Sequence, residues 1–194
     1  MKKDGKSEMW EEPKRFEIPA YPEIPDVGLY LEQVTKYVSG YILPMHSFSI
    51  TASMISNYVK KGLIAKPVKK LYYREQIADI FVIAVSKLVL SLEDIQILLA
   101  GKKKEEPGQF YTRFCGALYS RFDQVFPGEK KRSSRQKETL SKKLSEGLPE
   151  KPEGELPENR SETPSEIPEL LDWTAKTVIC RMYLETLVNS IKNM

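Results

Sequence analysis

NYVKKGLIAKPVKKLYYREQIADI, Asn57 to Ile80, runs from one apolar-periodic segment through a basic patch into another. Lys60, Lys61, Lys66, Lys69, Lys70 and Arg74 are basic, and no acid occurs before Glu75. Gly62 follows the first segment where a helix stop is expected, because glycine takes the left-handed backbone of a C′ position without a Cβ penalty. LIAKPVKKLYY, with its β-branched, apolar and aromatic residues, predicts a small two-stranded hairpin whose tip carries Lys66, Lys69 and Lys70. Pro67 fits a tip or edge, since it has no N–H to give to a central ladder.

Upstream of that stretch, Ile50, Met54, Ile55 and Tyr58 fall on one helical face, with Ser53, Ser56, Asn57 and Lys60 on the other. Ser49 or Thr51 is placed to cap this helix. An earlier helix is expected from about Val27 to Tyr41, with Asp26 as its N-cap and Val27, Tyr30, Leu31, Val34, Val38 and Tyr41 at helical spacing. Pro13, Pro19, Pro22 and Pro25 make residues 1–25 read as an extended arm. Downstream, a helix over about Arg74 to Leu88 carries Ile77, Ile80, Phe81, Ala84, Val85 and Leu88. Ser91 and Asp94 form a short version of a capping box for a helix that stops at Gly101. Lys102, Lys103 and Lys104 then suit the negative end of its dipole. A fifth helix, QFYTRFCGALYSRFDQVFP, aligns Phe110, Phe114, Leu118, Phe122 and Val125; this stripe reads as core.

Residues 128–168 contain no aromatic. They pass from a basic half (Lys130 to Lys143) to an acidic, proline-broken half (Glu146 to Glu166), too polar to offset the entropy of ordering. They are expected to be a flexible charged linker. The terminal segment from residue 169 to 194 regains helical periodicity with an apolar surface so broad that it must be covered. Docking onto the Phe110–Phe126 helix is one solution, and pairing with a second copy is the other.

The 194 residues are 41% hydrophobic and 29% charged, and no apolar run reaches the length of a membrane span. Net charge is +3, but between Ser49 and Lys104 ten Lys/Arg stand against four Asp/Glu. A local basic excess bears on partners rather than on fold. Cys115 and Cys180 lie far apart with no metal or redox spacing. They are expected to be small buried residues in a reduced, cytoplasmic compartment.

The order helix, Gly-Leu stop, basic two-stranded wing, aromatic, helix is that of a winged helix-turn-helix, and its wording resembles the MerR family. The matching residues are Asn57-Tyr58, Gly62-Leu63-Ile64, Lys69-Lys70, Tyr72, Ile77, and Ser91-Leu92-Glu93-Asp94-Ile95 with Leu98-Leu99. The run from Pro25 to Leu99 also resembles an uncharacterised bacterial family, domain of unknown function 1836, itself regarded as MerR-like. The resemblance covers about two-fifths of the chain. It implies a mainly α fold: a MerR-like winged helix-turn-helix with a small two-stranded β-wing and added C-terminal helices. By that division, residues 26–127 are the winged-helix domain with its appended helix.

The resemblance also implies a transcriptional regulator that binds double-stranded DNA. A helix fits the major groove, where side chains read base edges, while a wing holds the adjacent backbone. Thr51, Ser53, Ser56, Asn57 and Lys60 are the candidates on the helix. Lys66, Lys69 and Lys70 are those on the wing, where lysines neutralise phosphates. Tyr58 and Tyr72 are expected to pack. A homodimer through the terminal or the aromatic helix is expected, with no membrane contact.

Catalysis is not expected. The single histidine, His46, stands near Pro44 in a turn, and one imidazole makes neither a metal cluster nor a paired nucleophile. Gly-rich phosphate loops are absent. Glu93 and Asp94 point about 100° apart and suit a helix start better than acid–base work. No cofactor is implied. The alternative to DNA binding is a non-catalytic protein-interaction module on the same scaffold.

Overall fold

The computed structural model describes residues 17–42, 50–125 and 166–192. The expected linker up to residue 165, the first 16 residues and His46 lie outside the described residues. Six α-helices and one two-stranded antiparallel sheet are described: β1 (Leu29–Tyr30), α1 (Leu31–Ile42), α2 (Ala52–Lys60), β2 (Leu71–Tyr72), α3 (Arg74–Ser86), α4 (Leu92–Ala100), α5 (Gln109–Val125) and α6 (Glu166–Lys192).

The centre of the molecule is α3. Every residue from Gln76 to Ser86 is buried, including the polar Gln76, Asp79 and Ser86. The expected one-sided core face therefore understates it: α1, α5 and α6 all pack around this helix. Its Phe81 meets Tyr37 and Tyr41 of α1 edge-on, at 6.0 and 5.7 Å between ring centres. Tyr111 of α5 lies 6.3 Å away on another side. Such tilted geometries suit the ring quadrupoles. The aromatic stripe of α5 is core, with Phe110, Phe114, Leu118 and Phe122 buried.

The first helix starts four residues later than the spacing predicts. Leu29 and Tyr30 pair with Tyr72 and Leu71, so their backbone is extended. Gln33 accepts a hydrogen bond from the Tyr30 N–H at 2.9 Å, closing the helix start from inside. Asp26 is not the cap but faces Arg74 at 3.6 Å. Val27 and Tyr30, expected on the core face, are 68% and 58% exposed. The sheet therefore joins the segment before α1 to the segment before α3. Of the expected hairpin only a tight turn remains, with a single bridge between Val68 and Leu71.

The N-terminal arm is docked from Glu17 onward rather than free. Ile18 and Ile24 are buried, and the Tyr119 hydroxyl both accepts from the Ile18 N–H and donates to the Ile18 carbonyl, each at 2.8 Å. The Tyr111 hydroxyl donates to the Pro19 carbonyl at 2.9 Å. Arg74 holds the Ile24 carbonyl at 2.8 Å. Gly108, at φ +83°, lets Tyr21 lie where a Cβ would stand.

At the other end, α6 begins at Glu166, so residues 166–168 belong to the helix and Pro168 sits in its first turn, where its missing N–H costs nothing. Leu171, Ala175, Val178, Ile179 and Met182 are buried, and α6 packs along α5 with Asp172 paired to Arg121. Docking on the aromatic helix is thus observed, yet it covers only one side of α6. Cys115 is buried as expected and burial pushes its thiol up to about 12, but Cys180 is exposed. Among the described residues no helix is long and apolar enough to cross a membrane.

Candidate nucleic-acid interface

Helix α2 is short and sharply bounded. Thr51 caps it, its hydroxyl accepting from the Met54 N–H at 3.2 Å. At its end Gly62 takes φ +74°. The Leu63 N–H reaches the Tyr58 carbonyl at 2.9 Å and the Gly62 N–H reaches Val59 at 3.1 Å. These two bonds and the buried Leu63 make a Schellman stop. Ile55 and Tyr58 anchor the inner face. Ser53, Ser56, Asn57 and Lys60 recur at three and four residues on the outer face, and with Thr51 all are exposed. Ser56 donates to the Ala52 carbonyl at 2.9 Å and Thr51 is engaged as the cap, so both hydroxyls already have backbone partners.

The six cations of the Lys60–Arg74 patch divide into two groups. Arg74 is committed to Ile24 and Asp26, and Lys61 lies 3.4 Å from Glu93 of α4. Hydrogen bonding at its own helix start, and then Lys61, hold the Glu93 carboxyl below its ordinary value. Lys60, Lys66, Lys69 and Lys70 are exposed. Tyr58 and Tyr72, expected to pack, are 1% and 4% exposed.

Lys69 and Lys70 form the two central residues of the turn, at φ +50° and +68°. The turn closes by Val68 N–H to Leu71 carbonyl at 3.1 Å and the reverse at 2.9 Å. Two successive left-handed residues are the signature of a type I′ turn, which favours Asn-Gly. Two lysines there accept about 1–2 kcal/mol of strain each relative to a right-handed residue. They also project two charges from one tight tip.

Gln76 fixes this tip to the body and was not singled out from the sequence. Its side-chain N–H2 donates to the Ala65 and Lys66 carbonyls at 3.0 and 3.1 Å, and its oxygen accepts from the Tyr73 N–H at 2.9 Å. It is 8% exposed. Its place three residues after Tyr73, the position of a capping-box Glu or Gln, is the signal that could have found it.

Lys102 was expected to serve the α4 dipole. Instead it reaches back to α3, 2.9 Å from each Asp79 oxygen and 2.8 Å from Glu75. Burial pushes the Asp79 carboxyl up to about 6, against the pull of Lys102 and with a small push from Glu75. The two carboxylates hold the Lys102 ammonium above its ordinary value despite its own desolvation. Among the described residues, no three of His, Cys, Asp and Glu lie together so as to hold a metal ion.

No curated protein and no solved structure matches the chain. One family does, and its match runs over residues 19–122, from the docked arm through α2 and the lysine turn to the buried Phe122 of α5. The chain belongs to that family, described as a domain of unknown function, DUF1836.

Proposed function

We propose that this chain is a cytoplasmic DNA-binding transcriptional regulator with a MerR-like winged helix-turn-helix, in which α2 enters the major groove and the Val68–Leu71 turn lies on the phosphate backbone. The observation that carries this reading is the turn: two lysines occupy left-handed positions that Asn-Gly would fill with less strain, a few residues along the chain from a short helix whose outer face is polar. Asn57 offers the bidentate chemistry that suits adenine, and Ser53, Ser56, Thr51 and Lys60 flank it. Lys66, Lys69 and Lys70 supply the salt-dependent part of the affinity.

A second reading, a non-catalytic protein-interaction module, draws on Val27, Tyr30, Val68 and Tyr73, large apolar residues exposed around the small sheet. Salt dependence separates the two. For a mixed-sequence duplex, each phosphate neutralised adds about 0.9 to the slope of log affinity against log salt. The Lys66→Ala/Lys69→Ala/Lys70→Ala variant is expected to lower that slope by about 2–3 while its thermal melting stays close to that of the parent. An unchanged slope would remove the turn from any DNA interface.

A further inference from the structure

The arm from Glu17 to Pro25 is held on α5 as a bound peptide would be. Its sequence, EIPAYPEIP, carries Glu-Ile-Pro twice and sets Ile18, Tyr21 and Ile24 at every third residue. Ile18 and Ile24 are fully buried, and the half-buried Tyr21 ring lies 6.2 Å from the Tyr111 ring and 5.8 Å from the Arg74 guanidinium. The polar groups of the body address the backbone of the arm. Tyr119 serves both the N–H and the carbonyl of Ile18, Tyr111 donates to the Pro19 carbonyl and Arg74 to the Ile24 carbonyl. Ala20 (φ −63°, ψ 151°) and Ile24 (φ −66°, ψ 131°) take polyproline-like angles on either side of one 3₁₀ turn, Tyr21–Glu23. That turn closes within the arm: the Ala20 N–H donates to the Glu23 carboxylate at 2.7 Å, and the Glu23 N–H to the Ala20 carbonyl at 2.8 Å. The segment therefore brings its own shape to the groove, which lowers the cost of ordering it there. Proline-rich segments docked on aromatic side chains are a recurring mode of peptide recognition.

The arm does not fill this groove. A cavity of about 10 Å³ remains beneath it, lined by Ala20 and Tyr21 of the arm and by Thr112, Cys115 and Tyr119 of α5. The extended angles at Ala20 suit a β-branched residue, whose extra carbons would enter that space. We infer that the α5 groove is a recognition site for proline-rich peptides of the pattern Glu-Ile-Pro-x-Tyr-Pro, with a β-branched residue at x, and that such a segment of a partner protein takes the place of the arm. The arm is then the weaker ligand, kept in the groove because its tether holds it at an effective concentration on the order of millimolar. Every contact that the arm makes here through its backbone, a free peptide of this pattern makes as well. The peptide site does not rest on the nucleic-acid reading, and either can fail alone.

The test titrates the full chain into a fluorescent peptide with the sequence of residues 17–25, and into its Ala20→Val version, and follows anisotropy. The valine peptide is expected to bind about fourfold more tightly, the gain from burying one of its two added carbons. As it saturates the parent chain, the Ile18 amide of the chain is expected to exchange with solvent faster, because a displaced arm loses Tyr119. The Ile18→Ser chain, whose arm lacks one anchor, is expected to bind both peptides at least about tenfold more tightly than the parent does, since the tethered competitor is weakened. Adding Tyr119→Phe to that chain is expected to weaken both. If Ile18→Ser loses its helical spectrum, the valine peptide on the parent chain decides alone, because it needs no substitution in the protein. No saturable binding of the valine peptide up to millimolar concentration would overturn the inference. So would binding that leaves exchange at Ile18 unchanged, equal affinity of the two peptides, or equal binding of a scrambled peptide.

Discussion

Lys69 and Lys70 hold left-handed backbone that most side chains avoid, and this separates stability from binding at a single turn. Replacing them by Asn and Gly relieves strain while removing two charges. The Lys69→Asn/Lys70→Gly variant is expected to gain about 1–2 kcal/mol in urea unfolding and to bind duplex DNA more weakly. A variant both more stable and equally tight would show that the charges do not touch DNA. Asp79 supplies a second test at this scale. Its carboxyl, ordinarily near 3.8, is raised to about 6 by burial, so its ionised form is disfavoured in the folded state. Its unfavourable contribution is absent below pH 3.8, grows between 3.8 and 6, and is complete above 6. Lys102→Met removes the only cation placed against it among the described residues. The loss of stability is expected to be about 1–3 kcal/mol at pH 8 and clearly smaller at pH 5, where Asp79 is largely protonated. An equal loss at both would mean that Lys102 acts by packing its stem alone. Neither feature could be read from spacing: Lys102 sits 23 residues from Asp79, and the turn type depends on where the strands pair.

At the scale of elements, sequence patterns located most helices because each has a local cause. Thr51 and Ser91 cap as expected, the latter with Asp94 accepting from both the Ser91 N–H and hydroxyl. Gly62 stops α2 by a motif that is entirely local. What failed was non-local. Val27 to Tyr30 satisfies helical spacing, yet Leu29 and Tyr30 become a strand because β2 offers them backbone partners some 40 residues away. Arm docking likewise depends on two hydroxyls from α5 that no local pattern announces. Gln76 joins these levels, tying the base of the turn to the start of α3. Gln76→Ala is expected to cost about 1–2 kcal/mol, since Ala65 and Lys66 are exposed and their carbonyls can turn to water. Amide exchange at Leu71 is expected to quicken more than the global loss explains. Uniform quickening would show that the turn is held by its own two bonds.

For the whole molecule, α3 is the axis on which α1, α5 and α6 assemble, while the small sheet and α2 pack against α1, and α2 keeps its polar face outward. Periodicity marked the broad surface of α6 as needing cover, but it could not say that α5 takes only half of it. That division follows from which face of α6 meets α5 in three dimensions. The candidate interface was more legible, because exposure of a polar helix face and a lysine turn is written in residue type. How its members would combine on the proposed duplex depends on the partner molecule. The central claim is that α2 and the lysine turn together read a sequence. The most direct test is selection of pooled genomic duplex fragments by the full chain at physiological salt, with Asn57→Ala and the triple-lysine variant alongside. A few related sequences are expected to be enriched, Asn57→Ala is expected to relax the preference at one base position, and the lysine variant is expected to lose binding across all of them. Retention that ignores sequence and vanishes at physiological salt would contradict the claim.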